Sequence, residues 1–404
     1  MLQFSEYVPD PGEGGGWGPF SRQSLGSQPP PSPGYSDTGW GVKSNRKMSH
    51  RALIAMSGGV DSSVSALLLI RAGFDCTGAM MKLFNNEDLG ISRERSCCSL
   101  DDAQDAQAVA MRLDIPFFVF NFADTFKTQV IERFIGAYQR GLTPNPCIDC
   151  NRYLKFDRFF RRARELGCDF IATGHYARIE YDRTGGRYLL KKGADQSKDQ
   201  SYVLYTMTQN HLAHTRFPLG DLQKTQVRDI ARTHGFVNAQ KHDSQDICFV
   251  RGGGYAAFIE EYTGRPCPKG RFKDMSGADL GEHKGIIHYT VGQRKKLGIS
   301  TPAPLYVCSV DASSNTVVLG EPNALYQKTL TAEHINLIPF DKLDTPLRVQ
   351  AKIRYKQPEQ PAILRQTGPD SIHVEFDSPQ RAITKGQAVV LYDGDVVIGG
   401  GVII

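Results

Sequence analysis

The apolar run Ala52-Leu53-Ile54-Ala55-Met56 ends at Ser57-Gly58-Gly59-Val60-Asp61-Ser62-Ser63 and passes directly into a helix-periodic stretch. Five apolar residues in succession suit a strand buried on both faces, and two adjacent glycines permit a turn too tight for side chains. The helix that follows offers unpaired N–H groups and its positive dipole end to an anion held in that turn. Ser57, Ser62 and Ser63 add hydroxyl donors, and Asp61 would orient the loop or help to hold Mg²⁺. The Gly-Lys-Ser/Thr ending of a γ-phosphate loop is missing, which argues against a kinase- or GTPase-like site.

From Arg51 the pattern alternates. Ala52–Met56, Cys76–Phe84, Phe117–Phe122 and Asp169–Thr173 read as extended, and Ser62–Ala72, Asp101–Leu113, Asp124–Arg140 and Asn151–Leu166 as helical. Strand, crossover helix, strand predicts an α/β fold with a parallel sheet covered on both faces. Beyond Gly252 short elements broken by Gly and Pro run to about Ala324. From Leu330 onward come short β-rich runs, Arg348–Tyr355, Ala362–Gln366, Ser371–Phe376, Ala388–Tyr392 and Val396–Ile403, with Asp393-Gly394 as a hairpin turn. This end reads as a small C-terminal antiparallel β-barrel. The expected organisation is 1–47 extension, 48–254 catalytic, 255–328 small central domain and 329–404 barrel, with 212–237 open to assignment to the central domain.

Gly, Pro and Ser fill 23 of the first 47 positions, so that segment is expected to be disordered. Its charges cancel, and the formal +5 therefore belongs to the rest of the chain. The sequence leaves open whether translation starts at Met1 or at Met48. No apolar stretch approaches the roughly 18 residues of a membrane span. The nine cysteines are odd in number and scattered. They suit a reducing, cytoplasmic location with reactive or metal-binding thiols better than a disulfide framework.

Thr143-Pro144-Asn145-Pro146-Cys147-Ile148-Asp149-Cys150-Asn151 is a stiff loop delivering thiols to a helix expected to start at Asn151. The positive end of a helix dipole favours thiolate, and Cys150 stands nearest that start, with Lys155 one turn in. A zinc half-site is the alternative, but no second close ligand pair follows. The helix has Tyr153, Phe156, Phe159, Phe160 and Ala163 on one face. Arg152, Lys155, Arg158, Arg161, Arg162 and Arg164 on the other suit phosphate contacts. Taken alone, Cys248 in Asp243-Ser-Gln-Asp246-Ile-Cys248-Phe is more often a buried hydrophobe than a working thiol.

The SGGxDS loop resembles that of the PP-loop ATP pyrophosphatases, with their adenine nucleotide alpha hydrolase-like fold. The ordered set of SGGVDSS, TPNPCxxCN, ATGHYAR (172–178), KDQSY (198–202), DSQDICF (243–249), GEHKG (281–285), GQRKKLGI (292–299), RYKQ (354–357) and the closing GGG (399–401) resembles the tRNA-specific 2-thiouridylases of the MnmA/TrmU type. The likeness runs from Arg51 to Ile404.

That resemblance implies ATP-dependent adenylation of O2 of the wobble uridine in tRNAs for Lys, Glu and Gln, recognised at the anticodon arm, followed by replacement of O2 with sulfur. By position, Ala55, Met56, Ser57, Gly58, Gly59, Val60, Asp61, Ser62, Met81 and Gly174 match the ATP site. Cys248 matches the persulfide carrier and Cys150 the nucleophile that closes a transient disulfide with it. Asn145, Pro146 and Cys147 match positions beside the flipped base, and His175, Lys198, Asp199, Gln200, Arg354, Tyr355 and Gln387 match other tRNA contacts. The implied sulfur donor is a cysteine desulfurase or a sulfur relay protein. Cys147 stands where many members have Asp, so Cys147, Cys150 and Cys248 could instead ligate three irons of a [4Fe–4S] cluster. Another PP-loop tRNA-modifying ligase, or a metal-stabilised RNA-binding protein, remains the alternative outside this family.

Overall fold

Strand β1 (Arg51–Ala55) has Ala52 and Ile54 packed on one face and Leu53 and Ala55 on the other, so the apolar run is buried from both sides. The computed structural model describes residues 50–84, 100–241, 247–250, 254–300 and 303–404. The expected disordered extension, the Cys97-Cys98 pair and the stretch from Asp243 to Asp246 lie outside these. Around β1 run β2 (Asp75–Lys82), β3 (Phe117–Asn121), β4 (Phe170–Ala172) and, beyond a hairpin of β5 (Ala177–Asp182) and β6 (Arg187–Lys192), β7 (Thr215–Arg216). The five strands of the sheet are parallel, in the order β3-β2-β1-β4-β7. Helices α1 (Val60–Arg71) and α2 (Leu100–Arg112) cover one face. The helical stretches 123–139 and 146–165 cover the other.

Chain direction across this sheet reverses beside β1, because β2 and β3 lie on one side and β4 and β7 on the other. In such sheets ligands bind where the loops of the two strands flanking the reversal part company, at their carboxyl ends. Those loops are 56–59 after β1 and Thr173–His175 after β4. Residues 212–237 contribute β7 and the helix Lys224–Thr233, which packs on the α1 side, so they sit with the parallel sheet.

Strands β8 (Gly270–Asp274), β9 (Asp279–His283), β10 (Tyr306–Asp311) and β11 (Thr316–Gly320) form a second sheet in the order β10-β11-β8-β9. The remaining strands are β12 (Tyr326–Leu337), β13 (Leu347–Lys352), β14 (Gln360–Gly368), β15 (Ser371–Arg381), β16 (Ala388–Asp393) and β17 (Val396–Ile403). They close into a six-stranded antiparallel barrel, since β12 pairs with both β15 and β17. The turn expected at Asp393-Gly394 joins β16 to β17, with Gly394 at φ +57°.

Two strand features escape sequence reading. β12 shows no clean alternation, because only Leu330 and Ala332 along it are buried and a bulge shifts its register before Asn336. The β5–β6 hairpin belongs by sequence to the parallel-sheet part yet pairs with β17 of the barrel through Lys191 and Val396. Among the described residues no helix is long and apolar enough to cross a membrane.

The barrel is tied to the segment between β6 and β7 by Asn336, whose amide donates to the carbonyls of Tyr205 (2.7 Å) and Met207 (3.0 Å). Asn336→Ala leaves both carbonyls short of a donor. It is expected to lower unfolding free energy by about 1–3 kcal/mol, measured by urea titration.

Candidate active site

The Gly58-Gly59 loop after β1 is set by backbone contacts. Gly58 adopts φ +75°, and a Cβ there would stand 2.3 Å from the Asp102 carbonyl of α2. Gly174, after β4, lies so close that a Cβ would meet the backbone of Asp61 and Ser62 at 2.9 Å. The loop after β4 is thus pressed against the start of α1. Ser62 Oγ donates to the Gly59 carbonyl (2.9 Å) and accepts from the Ser57 N–H (3.2 Å), and Ser63 Oγ donates to Gly59 (3.1 Å). Both hydroxyls therefore stiffen the loop, and of the three serines only Ser57 is exposed. Ala55, Met56 and Val60 are buried and offer a nucleotide only their backbone. Met81 is half-buried near the carboxyl end of β2. No side chain caps α1, so its first N–H groups are left for an anion.

Asp61 is less open than the sequence implies. Lys224 Nζ donates to both carboxylate oxygens at 2.7 Å, and Tyr176 Oη donates to Oδ1 at 2.7 Å. So engaged, Asp61 orients the loop and is not presented as an open Mg²⁺ ligand. Lys224 and Tyr176 were not singled out from sequence, and nor was Asn238. Asn238 is buried and donates to the Gly58 carbonyl (3.0 Å) and Ser63 Oγ (2.9 Å), while its own Oδ1 has no partner. Lys224 did leave one trace. A cation at the first position of a helix opposes the dipole, a local mismatch of the kind found at functional sites.

The thiol helix begins earlier than expected. Asn145 caps it by accepting from the Cys147 N–H (3.2 Å), and Pro146 takes the first position. Cys147 therefore stands at the helix start and Cys150 one turn inside, which corrects the expectation that Cys150 faces the dipole end. From Cys150 to Arg158 the turns widen to i→i+5 spacing, a form common at functional sites. Cys147 reaches solvent, yet protein crowding its sulfur raises the thiol above its ordinary pKa while Lys155 draws it down. Cys150 is half-buried. Cys248 is exposed, next to Phe249, which is anchored edge-on between Phe126 and Phe134.

Lys155 links the two loops. Its ammonium lies 3.4 Å from His175 Nε2, and Thr173 Oγ1 lies 2.7 Å from Nδ1. Burial and Lys155 hold this imidazole well below its ordinary pKa, so it is neutral. Facing an ammonium, Nε2 accepts, and Nδ1–H donates to Thr173. His175 is thus a buried, satisfied histidine, not a surface group for RNA.

Most of the other residues expected to touch tRNA brace the site. Gln387 Nε2 donates to the Thr143 carbonyl (2.8 Å), and the Thr143 N–H donates to the Lys385 carbonyl (2.9 Å). Arg354 donates to the Ala382 carbonyl and to Thr384 Oγ1 (3.3 Å), and Tyr355 Oη donates to the Asp199 carbonyl (3.0 Å). The Asp199 carboxylate accepts from Gly193, the Ser201 N–H and the Ser201 hydroxyl. Gln200 Oε1 accepts from the Tyr176 N–H. Lys198 is half-buried.

The basic helix face is also more committed than its composition suggests. Arg161 pairs with Asp157 (2.7 Å) and Arg162 with Glu165, Arg152 lies over Tyr153, and Lys155 turns inward. Among the described residues no three His, Cys, Asp or Glu side chains converge where a metal ion could sit. Cys147, Cys150 and Cys248 therefore do not fit a cluster in this conformation. Cys76 and Cys168 are buried, with the Cys76 thiol pushed up to about 12, and they read as packing residues.

Burial raises the Asp149 carboxyl to about 6, against the pull of Arg133 and Arg152. A folded-state pKa above the unfolded value means that folding favours the protonated form, so this contribution is full below about pH 4 and is lost as pH rises through about 6. Asp149→Asn is expected to flatten the stability profile between pH 4 and 6, as read by denaturant titration at stepped pH.

Three family models match the chain: the tRNA methyl transferase HUP domain over residues 50–252, the tRNA methyl transferase PRC-barrel domain over 256–321, and the aminomethyltransferase beta-barrel domain over 327–403. The tRNA-specific 2-thiouridylase MnmA of Clostridioides difficile (strain 630) is 50% identical over 356 residues, covering 88% of this chain and 98% of that protein. The protein of the same name from Clostridium acetobutylicum is 48% identical over 360 residues, covering 88% and 100%. Among solved structures, a 4-thiouridine synthetase in complex with RNA and ATP is 16% identical, with a TM-score of 0.34 over 53% of this chain and 50% of that one. With a nucleotide loop at the reversal of a parallel sheet, thiols on the adjoining helix and relatives matched over almost their whole length, the chain belongs to the tRNA-specific 2-thiouridylase family.

Proposed function

We propose that this enzyme transfers sulfur to C2 of the wobble uridine, position 34, of tRNAs for Lys, Glu and Gln, consuming ATP and releasing AMP and pyrophosphate. The observation that carries this reading is the adjacent pair Gly174-His175. Gly174 lies against the start of α1 at the glycine loop, and His175 holds Lys155, whose charge acts on the Cys147 thiol at the head of its own helix. Nucleotide and sulfur chemistry are thereby brought to one place.

The chemistry follows from leaving groups. The uridine leaves its stack and lies beside Asn145, Pro146 and Cys147. Its O2 attacks the α-phosphorus of ATP, held by loop 56–62 and the dipole of α1, and pyrophosphate departs. Sulfur then attacks C2 and AMP leaves, taking the oxygen with it. The sulfur is the outer atom of a Cys248 persulfide. Cys150 attacks the inner sulfur, which leaves a Cys150–Cys248 disulfide for an external dithiol to reopen. Lys198, Asp199, Gln200, Arg354, Tyr355 and Gln387 shape the surface that receives the anticodon arm, with Gln387 fixing the thiol loop at Thr143. His175 acts through Lys155. Mg²⁺ would travel with the nucleotide and offset the charge of its phosphates. A cysteine desulfurase or a relay protein supplies sulfur, in the cytoplasm.

Nucleoside mass spectrometry of tRNA incubated with enzyme, ATP and a persulfide donor tests the reading. Wild type is expected to yield 2-thiouridine, with Cys150→Ser and Cys248→Ser at least 100-fold lower while both still release pyrophosphate. Product formation undiminished in both variants would sink the cysteine mechanism and favour a ligase. Lys224→Met removes a charge-assisted bond worth about 1.5–3 kcal/mol and is expected to lower kcat/KM for ATP roughly 10- to 100-fold.

A further inference from the structure

β3 is the last strand of the parallel sheet, and among the described residues no strand pairs with it on its outer side. The Phe122 N–H donates to Lys82 of β2, so in a parallel ladder Phe118 and Phe120 also turn toward β2 while Phe117, Val119 and Asn121 turn their N–H and C=O groups outward. The strand is apolar where it meets water, with Phe118 46% and Val119 53% exposed. Phe118, Phe120 and Phe122 form a stacked row with ring centroids 6.3 and 6.1 Å apart. Arg162 lies over Phe120 at 5.3 Å and Arg158 over Phe122 at 5.9 Å. Together the strand and the two arginines line a cavity of about 350 Å³, with Glu165 as its one acid. Free edges are usually blunted by charge, proline or a cover, and this one has an apolar centre and a cationic rim.

We infer that this edge is the docking site for the protein that delivers sulfur, which adds an extended, acid-flanked apolar segment to β3. The inference rests on the thiolation reading. An unpaired backbone row repeats at the spacing of a β-strand and selects an extended peptide over RNA. Arg162 is held by Glu165, which leaves exposed Arg158 beside Phe122 to select a carboxylate, and in a second copy of this chain the same arginines would face each other. The site lies on the thiol helix itself, since Cys150 precedes Arg158 by eight residues, about two turns. A donor seated there carries its persulfide to the thiols from the sheet edge. Its outer sulfur leaves the donor as the donor's own S–S bond breaks, and forms the Cys248 S–S bond, with no net oxidation.

The test uses the full chain with a dithiol and two sulfur sources, a cysteine desulfurase bearing a ³⁵S-labelled persulfide and, separately, a small-molecule persulfide such as glutathione persulfide. Val119→Pro removes an outward N–H without touching the β2 ladder, and Val119→Lys places a charge on the edge and covers the case in which the proline variant does not fold. The expected result is a fall of at least tenfold in label transfer from the protein donor, with 2-thiouridine formation from the small-molecule persulfide unchanged. Equal transfer in wild type and variants overturns the proposal. So does an equal loss with both donors, a shift from dimer to monomer in sedimentation, or weakened tRNA binding with normal transfer. If wild type makes no 2-thiouridine from the small-molecule persulfide, ATP and tRNA, the thiolation reading itself fails, a separate result.

Discussion

The ammonium of Lys224 sits 2.7 Å from both oxygens of Asp61, in a place where neither group is well exposed, and this contact holds the first turn of α1 to the helix Lys224–Thr233. Tyr176 adds its hydroxyl from the segment after β4. A pair so placed adds little net stability, because desolvation offsets most of its attraction, but breaking it strands a charge. What it supplies is position. With Asp61 fixed, Gly58 can lie under Asp102 and Gly174 can lie against α1, and the N–H groups at the loop keep one orientation. Such preorganisation is how a site built from backbone stabilises charge that develops during reaction.

The barrel acts on the same centre from outside. Gln387 and Lys385 grip Thr143 just ahead of the thiols, and Tyr355 reaches the Asp199 carbonyl. The β5–β6 hairpin returns the contact, since Lys192 donates to the Gly394 carbonyl at the tip of the β16–β17 turn. Residues that sequence likeness marks as RNA contacts thus first serve as braces. RNA that displaced or tightened any of them would alter the thiol loop directly.

Charge on the thiol helix illustrates how composition and arrangement differ. Six cations against two acids between Asn151 and Leu166 look like a phosphate-binding stripe. In the fold, Arg161 and Arg162 pair with acids one turn away, Arg158 and Arg162 lie over aromatic rings, and Lys155 faces His175. The fold spends these cations on several partners.

Sequence alone determined what depends on neighbouring residues. The strand, Gly-Gly turn and helix of the nucleotide loop, the alternation that makes a parallel sheet, the Asp393-Gly394 hairpin and the two-proline loop are local, governed by dihedral limits and burial periodicity. The start of the thiol helix was misplaced by five residues because a proline tolerated at the first helical position reads like a loop residue. Only tertiary structure decided which residues share the nucleotide loop. Lys224 and Asn238 lie more than 160 positions beyond the loop that they hold, and a pairing of that range leaves no periodic trace. Barrel closure by β12 and the capture of the β5–β6 hairpin were hidden for the same reason. Hydrogen bonds between strand backbones are indifferent to side-chain identity, so the partner of an edge strand is chosen by where the rest of the fold delivers it.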